Sequence, residues 1–287
     1  KRFPVLETAG IRKFFSGPES FTPDTNTLLG EVPEIKNFFV CCGLNSIGIG
    51  SGGGVGKVTA EWLINGHINE DIFCYDIKRF QKFHSDLSFI KKRITESLGD
   101  LYGMHWPFKQ HKTSRNIKTL PSHNELKSFG ACFGVSGGYE RPMWFALDGE
   151  KTEYEYSYNY QNWYPSAEYE TNNTIKNVGL FDLTPFSKFE IKSDKAHREL
   201  QKICTANIKN EVGKCIYTHM LNPDGGIETD LTVVCIDKDH FRIISSAATR
   251  ERDKFHIKKY LAKDLVLKDV TDDFCVFGVF GPKSRAL

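Results

Sequence analysis

Short apolar stretches interrupted by Gly17-Pro18, Pro23-Asp24 and Val32-Pro33 fill residues 1–37, a pattern that predicts a loop-rich segment laid against a larger body. Phe38 to Cys42 is a compact apolar run suited to a buried strand. The glycine-dense residues 43–56 follow as a predicted loop, and Lys57 to Ile64 reads as a helix that stops at Asn65-Gly66. Beyond Asp71, the residues Ile77, Phe80, Phe83, Leu87, Ile90 and Ile94 recur at helical spacing with charges between them, which predicts one long amphipathic helix. Residues 100–120 are irregular and polar. Ser122-His-Asn-Glu125 has capping-box spacing and predicts a short helix ending at Gly130, with a strand-like stretch and a turn at Gly137-Gly138 behind it.

From about Tyr139 the pattern changes. Tyr154, Tyr156, Tyr158 and Tyr160 alternate with polar residues, which predicts a strand with one aromatic face, and a helix is expected over residues 167–177. Predicted strands at 178–183, 188–191, 226–236 and 240–245 then alternate with predicted helices at 195–204 and 250–262. The expected fold class is mixed α+β, without internal repeats or low-complexity linkers.

Composition narrows the function classes. The 287 residues carry 38 Lys plus Arg against 36 Asp plus Glu, a formal +2, too balanced for a dedicated nucleic-acid binder. Hydrophobic residues make up 40%, enough to build cores, yet no apolar run reaches the length of a membrane span. Lys1-Arg2-Phe3-Pro4 lacks a signal-peptide pattern, so the expected setting is cytoplasmic or organellar. Eight scattered cysteines form no CxxC pair, which favours reduced thiols over a disulfide framework or a zinc site. The chain begins without Met, and Gly281 to Leu287 reads as a helix start after an apolar strand, so a fragment of a longer protein is expected.

Few motifs carry chemistry. Gly48-Ile-Gly50-Ser-Gly-Gly53 satisfies G-x-G-x-x-G between a strand and a helix, but the acidic residue a dinucleotide fold needs on a second strand is replaced by Glu70-Asp71 in a loop. A phosphate-cradling P-loop fails at Ser51 and Val58. Tight helix packing and a ligand-facing loop both remain, and the number of glycines favours the ligand. Glu228 and Asp230 leave the turn Asn222-Pro-Asp-Gly-Gly226 on one strand, where period two sends both to one face as solvated acids or as a proton acceptor. His105, His111 and Cys132 match no compact metal spacing, and the tyrosines interleave with Glu153 and Glu155, which favours a packing face over base stacking. Hydrolase and kinase signatures are absent.

Several stretches together resemble a known family. Ser16-Gly-Pro-Glu-Ser-Phe-Thr-Pro-Asp24, Leu29-Gly-Glu31, Gly43-Leu-Asn-Ser46, Gly52-Gly-Gly-Val-Gly-Lys57, Ala60-Glu-Trp62 and Asp76-Ile-Lys-Arg-Phe80 are similar to the end of the flavin domain in sarcosine and dimethylglycine dehydrogenases. Gly138-Tyr-Glu-Arg-Pro-Met-Trp-Phe145 resembles that family's bridge. Gly179-Leu-Phe-Asp-Leu183, Tyr217-Thr-His-Met-Leu221 and Gly225 to Val233 resemble its folate-binding domain, which is similar to the aminomethyltransferase (T-protein) of the glycine cleavage system.

The resemblance implies three regions: residues 1–80 as the C-terminal part of an FAD-dependent oxidoreductase domain, 81–138 as a central connecting domain, and 139–287 as the N-terminal part of a folate-binding domain. It implies FAD-dependent oxidative demethylation of sarcosine or dimethylglycine, with the one-carbon unit captured by tetrahydrofolate and electrons passed to a flavoprotein or oxygen. The flavin-side residues are Gly43, Leu44, Asn45, Ser46, Ile47, Gly48 and Ile49, where a helix N-terminus favours the negative charge of a reduced flavin. Asp230 is the implied catalytic residue facing the folate and Tyr217 lines that pocket, while Ser245-Ser246 departs from an Asn common in the T-protein. The groups around the amine and the later folate residues would lie outside the chain, leaving both sites partial. A eukaryotic member would lie in the mitochondrial matrix. Two alternatives are a non-catalytic relative resembling the pyruvate dehydrogenase phosphatase regulatory subunit and a lone folate-dependent aminomethyl or methyl transferase.

Overall fold

The computed structural model describes residues 2–287. Two short strands, β1 (Leu28–Glu31) and β2 (Phe39–Cys42), pair antiparallel ahead of the helix α1 (Gly48–Asn65). The glycine-dense stretch expected as a loop is largely helical, because α1 begins at Gly48 and runs through Gly56. A Cβ placed on Gly50, Gly52, Gly53, Gly54 or Gly56 would meet nothing within 4 Å, so packing within this chain does not require these glycines. Gly30 differs: its φ is +103°, and a Cβ there would lie 2.5 Å from the ring of the buried Trp62. Trp62 also meets Phe39 edge-on, which fixes α1 against the hairpin.

The long helix expected from Ile77 to Ile94 is broken. Ile77–Arg79 and Lys82–Ser85 are single 3₁₀ turns, and α2 spans only Leu87–Leu101. Aspartates set both boundaries: Asp76 accepts the amide of Lys78, and Asp86 accepts those of Ser88 and Phe89. Phe80 and Gln81 are extended between the turns, so helical spacing of apolar residues arises without a continuous helix. The predicted short helix forms as α3 (His123–Ser128), yet Ser122 does not cap it; its hydroxyl donates to Asp182 at 2.6 Å.

β3 (Ala131–Ser136) and β4 (Tyr139–Phe145) form an antiparallel hairpin around Gly137 and Gly138, both at positive φ. The tyrosine run is not a strand. Tyr154 stacks on Tyr156 and meets Trp144 edge-on, while Tyr158 packs on Trp106, so aromatic contacts replace backbone pairing. The following helix, α4 (Tyr164–Lys176), starts slightly before its predicted position, with Pro165 in its first turn.

The rest builds the main core. β5 (Gly179–Asp182), β6 (Ser187–Lys192), α5 (Ala196–Ile203), β7 (Cys215–Leu221), β8 (Ile227–Asp237), β9 (His240–Ser245), α6 (Arg250–Tyr260), β10 (Leu267–Asp269) and β11 (Phe277–Phe280) follow in order. Five strands form one antiparallel sheet in the order β10-β6-β9-β8-β7, while β11 pairs with β5 separately. Alternate residues of β6, β8 and β9, among them Phe189, Ile191, Leu231, Val233, Phe241 and Ile243, point to one face. Leu200 of α5 and Ile257 of α6 close that face. After β11, Gly281 lies against the carbonyls of Thr174 and Asn177, and the final residues form turns rather than the expected helix start.

Candidate functional site

The implied flavin-side residues gather at the start of α1. Gly43 takes φ +65°, and a Cβ there would lie 2.5 Å from the methyl of Thr22. Asn45 is buried at positive φ; its Oδ1 accepts the Thr22 amide at 2.9 Å and its Nδ2 donates to Gly43 O. These bonds hold Leu44, Asn45 and Ser46 as a rigid turn. The N-cap Ile47 offers no side-chain acceptor to the first helical amides, and both Ile47 and Ile49 are exposed. Gly48 and Ile49 belong to the first turn of α1. The arrangement presents uncapped amides on a fixed support, suited to partial negative charge.

The implied folate-side residues meet on the β7–β8 hairpin. Tyr217 Oη donates to Asp230 Oδ2 at 3.2 Å on the face away from the core. Partial desolvation and the neighbouring Asp230 carboxylate hold the Tyr217 phenol above its ordinary pKa, so it remains a donor to that carboxylate at neutral pH. The predicted one-face alternation of Glu228 and Asp230 is interrupted. Register shifts between Met220 and Leu221 skip Glu228, whose charge acts on Tyr260 of α6, while Asp230 is exposed beside Tyr217.

Asp253 was not legible as a special residue within Arg250-Glu-Arg-Asp253, which reads as a solvated helix start. Its side chain is buried against the sheet, and the Thr249 hydroxyl donates to it at 2.6 Å. Burial pushes this carboxyl up to about 6, against the opposing effect of nearby hydroxyls and Arg252.

His105, His111 and Cys132 do not assemble. Among the described residues, His111 instead lies with Glu96 and Asp100, their donor atoms within 4.8 Å of one another. The two acids are already engaged. Glu96 accepts the amides of Lys112 and Thr113 at 2.6 and 2.8 Å, and Asp100 pairs with Lys109 at 2.6 Å. The cluster therefore anchors the 102–120 segment. No helix among the described residues is long and apolar enough to cross a membrane.

Residues 65–119 match the FAD dependent oxidoreductase central domain, and residues 122–287 match the GCVT N-terminal domain. The chain belongs to the GCVT N-terminal domain family, with an FAD dependent oxidoreductase central domain directly before it. It is 39% identical, over 99% of its length and 35% of the relative, to 4-methylaminobutanoate oxidase (formaldehyde-forming) of Paenarthrobacter nicotinovorans. It is 33% identical, over 99% of the chain and 33% of the relative, to the mitochondrial pyruvate dehydrogenase phosphatase regulatory subunit of Mus musculus. Identity to the mitochondrial sarcosine dehydrogenase of Homo sapiens is 32%, over 100% of the chain and 36% of the relative. The resemblance to sarcosine and dimethylglycine dehydrogenases is borne out, and the chain spans about a third of the length of these relatives.

Proposed function

We propose that the protein carrying this chain oxidises an N-methylated amino acid with FAD and passes the released one-carbon unit to tetrahydrofolate. The observation that carries this reading is the Tyr217–Asp230 pair, displayed on a hairpin within a chain that matches both an FAD-associated and a GCVT domain. FAD, when bound, supplies hydride acceptance from the N-methyl carbon. The uncapped amides at Gly48 to Gly50 fit the electron-rich edge of such a ring, and the open space beside Gly50, Gly52 and Gly53 admits close approach from outside the chain. Gly43 and Asn45 hold that edge in place and do no chemistry themselves.

Asp230 accepts a proton from the folate amine as its nitrogen attacks the one-carbon unit, and Tyr217 orients the carboxylate by its hydrogen bond. The substrate class is a small N-methyl amine, as named in relatives that act on sarcosine, dimethylglycine or 4-methylaminobutanoate. Reoxidation uses an electron acceptor, a flavoprotein or oxygen. A eukaryotic source would place the protein in the mitochondrial matrix, as the names of several relatives state a mitochondrial location.

Asp230→Asn in the full-length protein tests the assignment. Amine-dependent flavin reduction is expected to stay near wild type, while methylene-tetrahydrofolate formation falls by about 10²-fold and formaldehyde from hydrolysis replaces it. Unchanged one-carbon capture would remove Asp230 from this role. Failure of the unmutated protein to reduce its flavin would favour a regulatory role like that of the phosphatase subunit.

A further inference from the structure

The segment after α1 and the β7–β8 turn belong to the two different family matches, and polar contacts join them. Lys259 of α6 donates to Gly66 O at 2.7 Å, and Asn69 Nδ2 donates to Asp224 Oδ2 at 2.8 Å. His67 Nε2 lies 2.8 Å from that same carboxylate oxygen, and its Nδ1 lies 3.0 Å from Asn65 O. A carboxylate and a carbonyl are both acceptors, whereas a neutral imidazole carries a single N–H. The imidazolium alone satisfies both contacts. The ring is 15% exposed and the Asp224 carboxylate 56%, so the pair sits at an open edge of the seam.

The turn it holds is stiff. Asn222 N donates to Gly226 O at 2.8 Å, and Asn222 Oδ1 accepts the amides of Asp224 and Gly226 at 3.0 and 2.7 Å. The strand β8 leaves this turn at Ile227 and carries Asp230 just past the register shift that skips Glu228. A cavity of about 450 Å³ opens beside this seam.

We propose that His67 is a positioning residue for the folate-side chemistry: its imidazolium, beside Asn69, clasps the β7–β8 turn through Asp224, and its deprotonation, which removes the charge and one of the two ring contacts, loosens that turn together with Asp230. The inference rests on the role given to Asp230 above. The hydrogen bond from Asp224 holds His67 above its ordinary pKa, with Lys259 opposing. Around the same cavity stand Glu70, Asp71, Glu228 and Arg252, while burial lowers His256 to about 4 and keeps it neutral. A raised native pKa means that the clasp is complete below the ordinary imidazole range and lost as pH rises through the raised value.

The test uses the full-length protein. Tetrahydrofolate affinity is expected to weaken about fivefold between about pH 6 and about pH 9 in wild type, as loss of one exposed-edge ion pair implies. His67→Gln, which carries no titrating charge at this position, is expected to flatten this profile, and Asp224→Asn to give weak, pH-independent binding. Hydrogen–deuterium exchange over residues 222–226, corrected for intrinsic rates, supplies a readout free of ligand. It should rise over the same interval in wild type and stay level in His67→Gln. An unaltered pH profile in His67→Gln, or level exchange in wild type, overturns the clasp. Absence of tetrahydrofolate binding at every pH would instead defeat the folate reading, and the exchange measurement would still decide the clasp.

Discussion

Asp253 shows how far a residue's environment can depart from its sequence context. Flanked by charges, it is nevertheless buried on the inner side of α6, with one carboxyl oxygen lacking a hydrogen-bond partner. Its raised pKa of about 6 means that the fold favours the protonated form. The unfolded chain releases that proton near the ordinary carboxylate value, so stability falls as pH rises from about 4 to about 6 and then levels. Asp253→Asn is expected to gain stability on the order of 2 kcal/mol at neutral pH and little below about pH 4, measured by denaturant unfolding at both pH values. Equal effects at the two would contradict a buried, reluctantly ionised carboxyl. Such burial depends on what α6 packs against, which the local run of charges does not encode. The stretch Gly225 to Val233 was legible because it resembles a folate-binding one, and it lies inside the GCVT N-terminal domain match.

The glycines of α1 make the corresponding point for an element. Their density predicts a loop, but the apolar and long side chains from Lys57 to Ile64 propagate helix back to Gly48. Each interior glycine costs roughly 1 kcal/mol against alanine, and Gly52 and Gly53 have open space beside their Cα atoms. In the chain alone, Gly53→Ala is expected to stabilise by up to about 1 kcal/mol, read as a rise in thermal midpoint. A marked fall would show that a contact within the chain demands glycine there. Strands β8 and β9 were readable because one face of each is buried and the other is not, whereas β6 buries Lys188 on its second face as well. The 77–94 stretch misled the same reasoning, since two 3₁₀ turns and α2 bury apolar residues at intervals that imitate one helix. The tyrosines alternated for aromatic packing, with no neighbouring strand to complete a ladder.

On the scale of the molecule, the segment after α1 and the β7–β8 hairpin stand on different family matches joined by His67, Asn69 and Lys259. No local pattern announces that seam, because His67 and Asp224 are brought together only by the tertiary fold. The order of the two units was readable from linked motifs, and it is this order that ties amine oxidation to one-carbon capture in the proposed function. The most direct measurement is the visible spectrum of the purified full-length protein before and after anaerobic addition of an N-methyl amino acid. An oxidised flavin spectrum that bleaches on addition is the predicted result. A protein without flavin absorbance, or one whose flavin stays oxidised with sarcosine, dimethylglycine and 4-methylaminobutanoate alike, would contradict the account.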